Sequence, residues 1–192
     1  MSFQSLGLAE PILRVLTEQG YTEATPVQQR SIPLIRSGKD VLAGAQTGTG
    51  KTAAFTLPLL QHLLNAPKAL TAGQVRILVL TPTRELAQQV YDSAVTYSRH
   101  VSCRCAVFYG GVSIRPQYDD AEQGLDILVA TPGRLIDHLH QQTIDLSQLE
   151  VLVLDEADRM LDMGFVVDIK RIMAKLPPKP IPTILKSWQT SC

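Results

Sequence analysis

The sequence has no long hydrophobic run. None of its apolar stretches reaches the ~18 residues that a membrane-spanning helix needs. The N-terminus has neither the basic segment nor the cleavage site of a secretion signal. Cysteine is also scarce: three residues, an odd number, do not make the disulfide framework typical of small secreted domains. We therefore expect a cytoplasmic protein that does not enter a membrane.

The sequence also lacks a net charge. Lysine and arginine together number 18, and aspartate and glutamate also number 18, so overall electrostatics do not favour binding to nucleic acid. A nucleic-acid site would have to be local, built from a few arginines and backbone N–H groups. Hydrophobic residues make up 45% and aromatics 5% of the chain, which is typical of one ordinary globular domain.

Short β-rich segments alternate with helical ones along the chain. The predicted strands are Asp40–Gly44, Arg76–Thr81, Arg104–Tyr109, Asp126–Ala130, Val151–Asp155 and Thr183–Leu185. The predicted helices are Pro11–Gln19, Val27–Ile35, Gly50–Leu64, Thr83–Ser98, Pro132–Gln141 and Phe165–Lys175. Several strands are almost continuously aliphatic, which indicates a parallel sheet covered by helices on both faces. In such an α/β fold, ligands bind at the carboxyl ends of the strands.

The strongest motif is a phosphate-binding loop between the first of these strands and the helix after it. It reads Ala45-Gln46-Thr47-Gly48-Thr49-Gly50-Lys51-Thr52. Small residues let successive N–H groups turn toward phosphate oxygens, and the helix N-terminus adds partial positive charge. Lys51 would reach the β- and γ-phosphates of ATP or ADP, and the Thr52 hydroxyl would bind Mg²⁺. The motif departs from the strict pattern at Ala45, and the alternative is a glycine-rich turn without function.

A run of carboxylates follows another predicted strand. The strand ends in Asp155-Glu156-Ala157-Asp158. Asp155 would hold Mg²⁺, and Glu156 would orient or deprotonate the attacking water, so Lys51, Asp155 and Glu156 are the candidate catalytic residues. The alternative is an ordinary helix start, where acidic residues suit the helix dipole.

Together these motifs resemble the DEAD-box RNA helicase family, and most closely its RhlE-like bacterial branch. The resemblance runs from Phe3 to Leu176 and rests on motifs in the family's order: the Q motif at 20–28, the phosphate loop, Pro82-Thr83-Arg84-Glu85-Leu86, Gly110-Gly111, Thr131-Pro132-Gly133-Arg134 and Asp155-Glu156-Ala157-Asp158. It implies a RecA-like P-loop fold and the N-terminal core domain of an ATP-dependent RNA helicase.

The resemblance assigns adenine recognition to the Q motif. The candidate residues are Phe3, Tyr21, Thr25 and Gln28. An amide donates and accepts at once, so Gln28 suits the N6 and N7 of adenine better than guanine, and Phe3 would stack on the base. The alternatives are a surface position for Gln28 and a core anchor for Phe3.

The resemblance also assigns RNA binding to three motifs. These residues are Pro82, Thr83, Arg84, Gly110, Gly111, Thr131, Pro132, Gly133 and Arg134. Threonine hydroxyls, helix N-termini and arginines read phosphates, so we expect binding to be independent of base sequence. Asp158 is the candidate for coupling nucleotide to RNA. The alternatives are ordinary helix starts, an ordinary turn and structural ion pairs.

The end of the chain departs from the family. We assign residues 1–176 to the core domain and residues 177–192 to a proline-rich connector with a divergent end, in which Lys186-Ser187-Trp188-Gln189 stands where the family has Ser-Ala-Thr. The second core domain, which supplies arginine fingers, is missing from this sequence. We therefore expect a monomer that binds nucleotide and hydrolyses ATP slowly, because arginine fingers are worth about 10³–10⁵ in rate.

Two other functions stay open. The same phosphate-reading motifs would serve a DNA motor, and a truncated chain could act as a non-catalytic, nucleotide-gated binding module. A metabolic P-loop kinase is disfavoured, because the Q motif has no role there. No zinc site is expected: Cys103 and Cys105 lack a second ligand pair, and His138 and His140 diverge on a helix.

Overall fold

Six strands form one parallel sheet in the computed structural model, which describes residues 1–44 and 50–187. The strands are β1 (Val41–Gly44), β2 (Val75–Leu80), β3 (Cys105–Phe108), β4 (Leu125–Ala130), β5 (Val151–Asp155) and β6 (Thr183–Ser187). Their order across the sheet is β1-β6-β5-β2-β4-β3. All six predicted strands are confirmed, and so is the parallel α/β sheet.

Helices connect the strands. They are α1 (Glu10–Glu18), α2 (Pro26–Arg36), α3 (Lys51–Asn65), α4 (Arg84–Tyr97), α5 (Arg115–Ala121), α6 (Pro132–His140), α7 (Ala157–Asp162) and α8 (Val166–Met173), with a short 3₁₀ helix at Phe3–Leu6. The six predicted helices are present within two residues of their predicted ends. In the described residues no helix is both long and apolar enough to cross a membrane.

Two helices were not predicted. The helices α5 and α7 have only 7 and 6 residues, and neither has a side-chain cap at its N-terminus. Segments of this length show less than two turns of periodicity, which is too little for an amphipathic pattern to stand out. Pro116 in the first turn of α5 was the available signal.

Each face of the sheet has its own hydrophobic core, as the aliphatic strands predicted. Along β2, Ile77 and Val79 pack with α1–α4 on one face, and Leu78 and Leu80 pack with α5–α8 on the other. This alternation follows from the two-residue period of a strand. Because the strands are parallel, their carboxyl ends lie together at one edge of the sheet.

The last strand lies inside the sheet. Although β6 comes latest in the chain, it pairs with β1 on one side and β5 on the other. The sheet thus continues past the boundary that the sequence analysis placed after residue 176. The proline-rich segment 177–182 forms neither helix nor strand, as predicted, and leads directly into β6.

Candidate functional site

The carboxyl edge of the sheet divides into two halves. The predicted nucleotide motifs follow β1 and β5, which flank β6, and the predicted RNA motifs follow β2, β4 and β3 on the other half. The expectation that the motifs begin at carboxyl ends of strands is confirmed. Of the phosphate loop, residues 45–49, which include Thr47, Gly48 and Thr49, lie outside the described residues.

The phosphate loop ends at Gly50, the residue before α3. Gly50 adopts a left-handed φ of 77°, and a side chain at this position would collide with the amide of Gln28. Lys51 is the first residue of α3 and only 9% exposed. Thr52 follows it in the first helical turn and is half-buried. The helix start therefore presents an ammonium, a hydroxyl and unsatisfied backbone N–H groups together.

The Q-motif glutamine is tied directly to this helix start. Gln28 Nε2 donates to the Gly50 carbonyl at 3.1 Å. Its Oε1 accepts from the backbone N–H of Thr25 at 2.9 Å, and the Thr25 hydroxyl completes a capping box at the start of α2. Each end of the amide thus has one partner within the chain and keeps a second donor or acceptor position, so the amide can hold α3 and still contact adenine. The adenine-binding role of Gln28 stays a prediction.

The two aromatic candidates have different surroundings. Phe3 is 4% exposed and packs in the core beside Leu6 and Ile12, which favours the anchoring alternative over base stacking. Tyr21 is exposed and lies beside Tyr97 at the end of α4. Burial, together with the neighbouring Tyr21, raises the pKa of Tyr97 to about 12. The adenine-site roles of Phe3 and Tyr21 stay predictions.

The first carboxylate of the acidic motif is fully buried. Asp155 ends β5 and is 0% exposed. Lys186 of β6 is its cross-strand neighbour, and Lys186 Nζ lies 2.9 Å from Asp155 Oδ1. The short distance and the opposite charges make this an ion pair. Burial raises the pKa of Asp155, and Lys186 opposes that rise.

The charges at this half of the edge influence one another. Burial and the nearby Lys186 lower the pKa of Lys51, whereas Asp155, Glu156 and Asp158 raise it. Two ammonium groups therefore share a desolvated region with three carboxylates. A cluster of buried charges in which Lys51 and Asp155 have shifted pKa values is typical of a functional site.

The side chains at this site fit a magnesium nucleotide in part. Asp155 and Thr52 offer hard oxygen donors of the kind that Mg²⁺ prefers. Asp155 Oδ2 is buried and has no hydrogen-bond partner among the described residues, so it can accept from a metal-bound water. Its other oxygen, Oδ1, already forms an ion pair with the Lys186 ammonium.

Glu156 has an unusual backbone conformation. Its φ of 54° and ψ of 50° lie in the left-handed region, which costs a non-glycine residue energy. This turn directs the chain from β5 into α7, and Arg159 Nη1 lies 3.3 Å from Glu156 Oε2. The acidic motif therefore both ends β5 and begins α7. The catalytic interpretation of its sequence and the helix-start interpretation are compatible.

The other half of the edge brings two predicted RNA motifs into contact. Thr83 caps α4, and its hydroxyl accepts from the Leu86 N–H at 3.2 Å. The exposed guanidinium of Arg84 lies 5.9 Å from the centre of the Tyr109 ring. At Gly111, φ is +79° and an added Cβ would lie 3.0 Å from Arg84 Nη1. The left-handed φ favours glycine at this position, and a side chain here would displace the end of that arginine. Pro82 is buried beneath this surface.

Arg134, in contrast, makes hydrogen bonds within the chain. Its side chain is 11% exposed. It donates to Gln117 Oε1 at 3.2 Å and to the Val112 carbonyl at 3.0 Å. These bonds hold the segment after Gly110-Gly111 against α6, which begins at Pro132 with Thr131 as its N-cap. The structural alternative is therefore favoured for Arg134, although Gly133 beside it is exposed.

The roles of Gln117 and His138 were not predicted from the sequence. Gln117 Oε1 also lies 2.9 Å from His138 Nε2, and Gln117 Nε2 donates to the Tyr109 carbonyl at 3.1 Å. His138 is fully buried and stacks on Phe108. Burial and Arg134 lower its pKa to about 4, so the imidazole is neutral at pH 7. Gln117 and His138 are 21 residues apart, and no sequence motif connects them, so the sequence did not indicate this network.

The cysteines and histidines form no metal site in the part of the chain that the structure describes. The Cys103 and Cys105 sulfur atoms lie 3.5 Å apart on one face, as their spacing predicted. His138 has hydrogen-bond partners in the core, and His140 is exposed.

Comparison with known proteins decides the family. The sequence pattern of the DEAD/DEAH box helicase family matches residues 25–187. The chain belongs to this family. Similar proteins include the ATP-dependent RNA helicase DeaD of Escherichia coli (strain K12), 49% identical over 180 residues that are 92% of this chain. Another is the DEAD-box ATP-dependent RNA helicase RhpA of Helicobacter pylori (strain B128), 44% identical over 92% of this chain. The ATP-dependent RNA helicase DRS1 of Chaetomium globosum is 42% identical over 99% of it.

The family membership confirms the resemblance that the motifs predicted. The chain spans 27% of the length of DeaD, 35% of RhpA and 24% of DRS1. What these longer proteins do as a whole is therefore a matter of proposal for this chain. The assignment to the RhlE-like branch stays a prediction.

Proposed function

We propose that this chain is the ATP-binding core domain of an RNA-dependent ATPase. The observation that carries the proposal is the bond from Gln28 to the Gly50 carbonyl. This bond connects the predicted adenine-binding motif to the end of the predicted phosphate loop. The buried Asp155 is close enough to Lys51, the next residue, to raise its pKa. A nucleotide placed there would have its base near α2, its phosphates at the N-terminus of α3 and its metal toward β5.

Each side chain in this proposal has a chemical role. Lys51 binds the β- and γ-phosphates, and the Thr52 hydroxyl is a ligand for Mg²⁺. Asp155 would help to hold the metal, and Glu156 would position the water that attacks the γ-phosphate. The helix N-terminus of α3 adds backbone N–H donors to the phosphates. Mg²⁺ would supply charge neutralisation between the phosphates.

The adenine assignment predicts a preference between bases. We expect the chain to bind ADP about 10- to 100-fold more tightly than GDP, because guanine leaves one polar contact of the Gln28 amide unsatisfied. Gln28→Ala should remove most of this preference. Competition of unlabelled ADP and GDP against a fluorescent ADP measures it.

Gln29→Ala is the matched control, because Gln29 donates instead to the Ala24 carbonyl at 2.8 Å. It should keep the preference for ADP. Equal preference in wild type and Gln28→Ala would contradict the assignment of adenine recognition to Gln28.

The second half of the proposed site binds RNA through its backbone. Thr83, Arg84 and Gly111 meet at the ends of β2 and β3, where a helix N-terminus, an exposed guanidinium and open backbone can contact phosphates. We therefore propose that Arg84 makes a direct phosphate contact, and that Arg134 holds the Gly-Gly segment in position.

Removing the charge of Arg84 tests the proposed contact with RNA phosphates. Arg84→Gln should weaken binding to a fluorescent oligouridine and lower the slope of log affinity against log salt by about 0.7, because one phosphate contact is lost. Arg171→Gln, an exposed arginine in the last turn of α8, should leave both unchanged.

Binding of oligothymidine in parallel decides between the RNA and DNA interpretations. Tighter binding of oligothymidine would favour a DNA motor, and equal affinity for both polymers would favour an unselective module. An unchanged salt slope in Arg84→Gln would show that Arg84 does not contact phosphate.

For the whole protein, we propose ATP-driven RNA unwinding, because the similar proteins DeaD and DRS1 are named ATP-dependent RNA helicases. The chain by itself is proposed to be a monomer that hydrolyses ATP slowly. The alternative, a nucleotide-gated module without catalysis, draws support from one observation: the Lys186 ammonium lies against the carboxylate proposed to hold the metal.

A further inference from the structure

A lysine lies beside the buried aspartate at the end of β5. Asp155 and Lys186 are register partners in the parallel pair β5 and β6. Directly opposed residues of neighbouring strands point to the same face of the sheet, and here Lys186 Nζ lies 2.9 Å from Asp155 Oδ1. The backbone pairing, and not only a side-chain rotamer, brings the two charges together.

The surroundings of the Lys186 ammonium restrict its position. The Lys186 side chain is 11% exposed, and its Nζ lies 5.3 Å from the centre of the Phe55 ring of α3. The cavity beside it, also lined by Ile184 and Lys51, has a volume of about 10 Å³, room for about one water molecule. Within the described residues, no carboxylate other than Asp155 lies within 4.0 Å of this ammonium.

We propose that Lys186 is a built-in cation that competes with Mg²⁺ for Asp155. This inference rests on the proposed function, since it concerns the same nucleotide site. An ammonium and a metal-bound water both need the carboxylate oxygens, and a fixed positive charge 2.9 Å from Oδ1 repels a divalent cation at the other oxygen. With Lys51 nearby, the same charge attracts the phosphates of a nucleotide that carries no metal.

The proposal predicts a nucleotide site with little dependence on Mg²⁺. In wild type, the dissociation constant of a fluorescent ADP should differ by less than about threefold between excess Mg²⁺ and EDTA. In Lys186→Met, where Asp155 is released and the apolar surroundings stay filled, Mg²⁺ should tighten binding by about tenfold or more. Titration of the 192-residue chain under both conditions measures these two ratios.

Two further variants sharpen the comparison. Lys170→Met removes an exposed lysine from the last turn of α8 and should keep the wild-type ratio, which controls for net charge. Asp155→Asn in the Lys186→Met background should abolish the gained Mg²⁺ dependence, whereas in wild type it should change the ratio little. If Lys186→Met does not fold, as judged by its thermal melt, Lys186→Gln takes its place.

The outcomes separate this proposal from the one on which it rests. Nucleotide binding with equally strong Mg²⁺ dependence in wild type and in the Lys186 variant would overturn the competition while leaving the nucleotide site intact. No nucleotide binding by folded protein under any condition would overturn both. A Mg²⁺ dependence that appears only when Lys186 is replaced, and disappears again with Asp155→Asn, would support the competition.

Discussion

Replacing Lys51 by alanine should weaken ADP binding by about 10- to 100-fold, the value of a charge-assisted hydrogen bond to phosphate. Lys51 is the first residue of α3 and is held nearly buried, so its ammonium is already placed and loses little freedom when a phosphate arrives. Burial and Lys186 lower its pKa, and a bound phosphate would raise it because an opposite charge favours the ammonium form.

Titration of a fluorescent ADP in EDTA measures this loss without a contribution from the metal. Lys39→Ala is the matched control: it removes an exposed lysine at the amino end of β1, away from the carboxyl edge. It should bind as wild type does. If Lys51→Ala binds ADP within about threefold of wild type, the start of α3 is not the phosphate site.

The second large effect concerns stability at the opposite edge of the sheet. Arg76, at the start of β2, is 2% exposed. Its guanidinium contacts both oxygens of Glu150, at 2.6 Å and 2.9 Å, and donates to the Ala66 carbonyl. His62 Nε2 lies 2.9 Å from Glu150 Oε1. The network joins β2 to the segment before β5 and to the end of α3.

Glu150→Leu should destabilise the chain by about 3–5 kcal/mol, because it leaves the buried Arg76 charge without its main partner. The double variant Arg76→Met with Glu150→Leu should recover much of that loss, since two apolar residues replace the whole pair. Urea unfolding followed by circular dichroism measures both. Glu122→Leu, at an exposed glutamate after α5, should change stability by less than about 0.5 kcal/mol.

The same network gives stability a dependence on pH. Burial alone would raise the pKa of Glu150, but hydrogen bonds from His62 and Arg76 lower it to about 2. A carboxyl with a depressed pKa stabilises the fold above its ordinary value of 4.5 and loses that contribution as pH falls toward 2. The difference between wild type and Glu150→Leu should therefore shrink from pH 5 to pH 3. A constant difference would show that the charge of Glu150 is not what stabilises the fold.

Local patterns in the sequence were sufficient for the strands and for the motifs at their ends. The aliphatic run Val151–Leu154 predicts a buried strand, and a carboxylate directly after such a run is then expected at a carboxyl edge. The glycine at 50 and the threonines at 25 and 83 mark helix starts that the structure contains. The short helices α5 and α7 carried too few residues for such a pattern.

Only the tertiary structure decided which side chains meet. The order β1-β6-β5 places Lys186 beside Asp155, and nothing within the segment around Lys186 indicates that neighbour. The burial of Phe3 and the internal bonds of Arg134 depend in the same way on elements distant in the chain. A strand's own pattern specifies its faces, since the alternation is local, but its place in a sheet depends on long-range packing that no single segment encodes.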